Sequence, residues 1–68
     1  MPKSSFTTKD LTFLQEVMGI EMLMHKKCAS YASQASDQSL REVMEHHSAT
    51  HKKRFDALYN YLSTIDKS

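Results

Sequence analysis

A chain of 68 residues with 40% hydrophobic residues and a formal net charge of +1 is one domain at most and buries only a modest core by itself. Gly and Pro occur once each, at Gly19 and Pro2, too little turn material for a β fold. The mixed charge gives no mandate for nucleic acid or an anionic membrane, and neither a spanning apolar run nor a secretory leader is read in the chain.

The lone Cys28 fits a reducing compartment, so the expected setting is cytoplasmic. Residues 1–7 lack a period and read as a flexible lead-in. Thr7 or Thr8 offers a helix N-cap, and Asp10 stands three after Thr7 in a short-armed capping box. No breaker except Gly19 follows, which predicts a first helix over about 8–35, roughly 42 Å long. Ser36, Asp37, Gln38 and Ser39 interrupt it. Asp37 is the better N-cap for the next helix, although Ser39 with Glu42 would make a capping box two residues on. That second helix is predicted over about 38–63. Residues 8–65 then form an antiparallel helical hairpin.

On the first helix Leu11, Leu14, Met18, Cys28, Ala32 and Ala35 form one apolar stripe. Phe13, Val17, Ile20, Met24 and Tyr31 form a second beside it. Together they span roughly 160° of arc, wider than one partner helix covers. The second helix adds Leu40, Val43, Met44, Phe55, Leu58, Tyr59, Leu62 and Ile65. An isolated hairpin leaves much of this in water, so the expected architecture is all-α, two hairpins dimerising into a four-helix bundle. Leu58, in the central sector of its helix, is expected to be fully buried.

The polar residues inside these arcs are the candidate site. At about 100° per residue, His47 and His51 share a sector with Leu40, Leu58 and Ile65, whereas His46 points away. Two imidazoles four apart on one helix face can grip a metal ion. Glu21 lies near the centre of the first helix's arc, and His25 follows one turn later toward its edge. Reflecting the hairpin about its turn places Glu21 level with His51 and His25 level with His47. One carboxylate and three imidazoles are thus expected to converge at one height. The same cluster reads equally as a buried hydrogen-bond network that fixes helix register. Cys28 and the five methionines read as packing groups rather than ligands. Lys52, Lys53 and Arg54, interleaved with Glu42, Glu45 and Asp56, read as a solvated face.

The run from Leu14 to Cys28, with Glu21, His25 and the Lys26-Lys27-Cys28 sequence, the Ser36-Asp37 loop and the His47/His51 pair resemble the short ferritin-like spore-coat proteins of Gram-positive bacteria (coat F-like). The resemblance covers Thr8 to Leu62 and implies a helical bundle related to the ferritin and rubrerythrin fold, with a place in the spore coat. Di-iron bundles of that kind supply a Glu from one helix and Glu-x-x-His from the next. Neither glutamate early in the second helix opens such a motif: Glu45 stands three after Glu42, and Ser48 three after Glu45. Three function classes remain: a divalent-metal module (Zn or Fe) using Glu21, His25, His47 and His51, a structural assembly or coat protein, and an oxidoreductase. The missing Glu-x-x-His makes the last the weakest, so no catalytic residue is assigned.

Overall fold

The computed structural model describes residues 6–67. Two helices account for nearly all of it: α1, Thr8–Gln34, and α2, Gln38–Lys67. They pack antiparallel along their length into a rod with principal extents of 50 × 16 × 13 Å. No strand occurs among the described residues, and no described helix is long and apolar enough to cross a membrane.

Local chemistry sets the helix ends. Thr7 Oγ1 accepts from the Asp10 N–H at 3.0 Å, and Asp10 Oδ2 accepts from the Thr7 N–H at 3.1 Å. This reciprocal pair is the capping box read from the sequence. At the other end Ala35 leaves helical geometry, and its N–H donates back to the Tyr31 carbonyl at 2.8 Å. Asp37 Oδ2 then accepts from the Leu40 N–H at 2.8 Å, so Asp37 and not Ser39 caps α2. Arg41 Nη2 donates across the turn to the Ala35 carbonyl at 2.7 Å, satisfying an oxygen that α1 leaves without a helical partner. The α2 helix continues past the expected end at 63, since nothing there breaks it. Of the expected lead-in, residues 1–5 lie outside the described residues, while the Phe6 ring meets Tyr61 edge-on with centroids 6.3 Å apart.

The core is thin. Met18, Cys28 and Ala32 on α1 are 9%, 5% and 4% exposed, and Ser48 on α2 is 7% exposed; no large side chain is wholly enclosed among the described residues. Leu11, Leu14, Met44, Phe55, Leu58 and Leu62 line the seam half-buried. The first α1 stripe is therefore the one that meets α2. The second remains largely in water, with Phe13, Val17, Ile20 and Tyr31 all exposed.

The phase of α2 differs from the expected one. Its seam is centred on Ser48, flanked by Met44, His51 and Phe55, whereas His47 and Leu40 are exposed and Leu58 is only half-buried. At 100° per residue this is a rotation of about 60°. The reason is packing: a serine lets the two backbones approach closely, and its hydroxyl meets a polar partner on α1.

Candidate functional site

Two cross-helix polar pairs occupy the middle of the seam. In the first, His51 Nδ1 lies 2.5 Å from Glu21 Oε1, with the imidazole 18% and the carboxylate 15% exposed. Glu21 comes from the central turn of α1 and His51 from that of α2. An ionised carboxylate only accepts, so the Nδ1–H of His51 donates to it. In the neutral ring the second nitrogen, Nε2, then carries the lone pair. A carboxylate behind an imidazole is how metal-ligating histidines are commonly oriented.

In the second pair His25 meets Ser48. The His25 Nδ1 is 2.9 Å from the Ser48 carbonyl, and Ser48 Oγ donates to the His25 backbone carbonyl at 2.9 Å. The carbonyl can only accept, so His25 donates through Nδ1. The two helices are thereby tied at one level through side chain and backbone together. On that side of the seam His25, Ala29, Ala32, Ser33, Glu45, Ser48 and Ala49 line an open groove.

Of the four expected ligands, the fold joins Glu21 with His51. His25 turns to Ser48 instead of His47, and His47 stands exposed on α2 beside His46, their ring centroids 5.7 Å apart. The expected single cluster is therefore two pairs and an outlying imidazole. Among the described residues of one chain, no three His, Cys, Asp or Glu side chains come together as a metal-holding group. Cys28 is buried and free, a small apolar group in the seam.

Comparison of the chain with protein-family models, with curated proteins and with solved structures finds no match.

Sequence reasoning missed Ser48 and Arg41. Ser48 was legible only as the small residue in phase with Arg41 and Phe55, seven positions to either side. Arg41 carried no signal, because its role depends on where the α1 carbonyls end.

Proposed function

We propose that this protein is a small helical-bundle protein that assembles as a homodimer and binds a divalent metal, zinc or iron, through its mid-seam Glu/His groups. The observation that carries the reading is the Glu21–His51 contact, in which a carboxylate engages Nδ1 of an imidazole, the arrangement common for metal-ligating histidines. Dimerisation is supported by the thin core and by the exposed stripe of Phe13, Val17, Ile20 and Tyr31. A role in a layered assembly such as a spore coat is supported by the resemblance of the helical motifs.

Elemental analysis of protein purified without a His-tag tests the metal reading, together with melting in added Zn²⁺ or Fe²⁺. A ligand that binds the folded state raises the melting temperature. The increment should shrink on acidification, because protons compete with the metal for imidazole nitrogen. Metal-free protein with no increment from either ion would leave the second reading, a structural assembly protein. One observation favours that alternative: within a single chain, Glu21 and His51 already satisfy each other. Light scattering at micromolar concentration tests the dimer independently, with twice the chain mass expected.

A further inference from the structure

We propose that His47 and His51 are half of a metal site that a second copy of the chain completes, with Glu21 orienting His51 rather than ligating. This rests on the metal-binding reading above and assigns its ligands and its partner.

The ligand set comes from the bonds each imidazole already makes. Glu21 engages Nδ1 of His51, so a metal would meet Nε2. His47 is exposed one helical turn earlier on α2, and residues four apart on a helix are neighbours. His25 lies toward the opposite edge of the seam, where its groove opens. One chain thus offers two nitrogens on one side, and no third metal-binding group joins them among the described residues. Zinc ordinarily takes four ligands. Two copies of the pair would supply them.

The second copy has a surface to occupy. Helical periodicity puts Phe13, Val17 and Ile20 of α1 on the side of the seam away from the His25 groove. The antiparallel packing puts Leu40, Val43 and His47 of α2 on that same side, and all five apolar residues are exposed. One whole flank of the rod, 50 × 16 Å in outline, is on the order of 800 Å², so a second copy that covered it along its length would reach the size of a stable protein interface. The five apolar residues share this flank with exposed Arg54, which stands seven residues after His47 in the same sector of α2.

Symmetry then brings the half-sites together. Glu21 is the central residue of α1, which has 27 residues, and His51 lies beside the midpoint of α2, which has 30. Two identical rods that overlap fully share their midpoints, whether the turns lie at the same end or at opposite ends. Either two-fold arrangement therefore sets both His51 residues at nearly one height. Levels far from the midpoint meet their own copy in only one of the two arrangements.

The test is zinc titration of untagged protein by calorimetry, with the mass followed by sedimentation. The expected result is one Zn²⁺ per two chains, with zinc tightening the dimer against dilution. His47→Ala and His51→Ala should each remove binding, and His47 is exposed, so its variant retains the fold, as circular dichroism would verify. Glu21→Gln should keep the stoichiometry and weaken affinity by roughly 10–100-fold, the range for a supporting carboxylate. One Zn²⁺ per monomer, or undiminished binding by His47→Ala, would overturn this assignment while leaving the metal reading in place. No zinc uptake, whatever the sedimenting mass, would overturn both.

Discussion

Glu21 and His51, far apart in the chain, meet at 2.5 Å across the middle of the hairpin. The contact joins the central turns of the two helices, so it holds them in register as well as presenting an imidazole. Its two functions separate by substitution. Glu21→Ala removes the acceptor and should cost about 1.5–3 kcal/mol in urea unfolding of metal-free protein, the range for a hydrogen bond to a charged group. Glu21→Gln keeps an acceptor oxygen and should lose less than half of that. Equal stabilities for wild type and both variants would show that the contact contributes nothing to the fold.

Ser48 is the most buried of the described side chains of α2, and its hydroxyl donates to the His25 carbonyl. Ser48→Ala should cost about 1 kcal/mol by leaving that bond unmade. Ser48→Leu, more apolar but larger, should cost about 1–3 kcal/mol, because it unmakes that bond and sets a bulkier side chain where the hydroxyl now stands 2.9 Å from the His25 backbone carbonyl. Were Ser48→Leu the more stable protein, α2 would have to face α1 through another sector. Chemical denaturation with a circular-dichroism readout distinguishes the cases.

Gly19 sits in mid-helix, and a Cβ added there would meet nothing within 4 Å. Gly19→Ala should therefore raise stability by about 0.5–1 kcal/mol through helix propensity alone. The measurement also probes the assembly. If thermal melts show a loss instead, another chain approaches the back of α1 at this position.

Leu58 is half-buried in the single chain. Full burial would make Leu58→Ala cost ~2–5 kcal/mol, whereas the single hairpin supports about 1–2 kcal/mol by area removed from water. The cost should climb toward the larger range as protein concentration rises and the dimer forms. A penalty independent of concentration would place Leu58 outside the interface. Equilibrium unfolding at two concentrations a hundredfold apart decides it.

The two helices, the capping box at Thr7 and Asp10 and a turn, read at 36–39 and found at 35–37, were legible in the residues alone. They depend on hydrogen bonds within a few positions and on a periodicity that no distant contact alters. Equally legible was the excess of apolar surface on α1 over what α2 can cover, since the width of an arc is a property of one helix. The pairing of Glu21 with His51 could be read because both stand at nearly the same distance from the turn. The rotation of α2, and with it the fates of His47 and Ser48, emerged only once the helices were packed. The apolar sector of α2 is the sum of two surfaces, one packed on α1 and one left open. Its centre falls between them, near His47, whereas the seam itself follows the close approach that Ser48 permits and the bonds it makes to His25. Local pattern cannot divide such a sector, because the division depends on which residues of the other helix stand opposite.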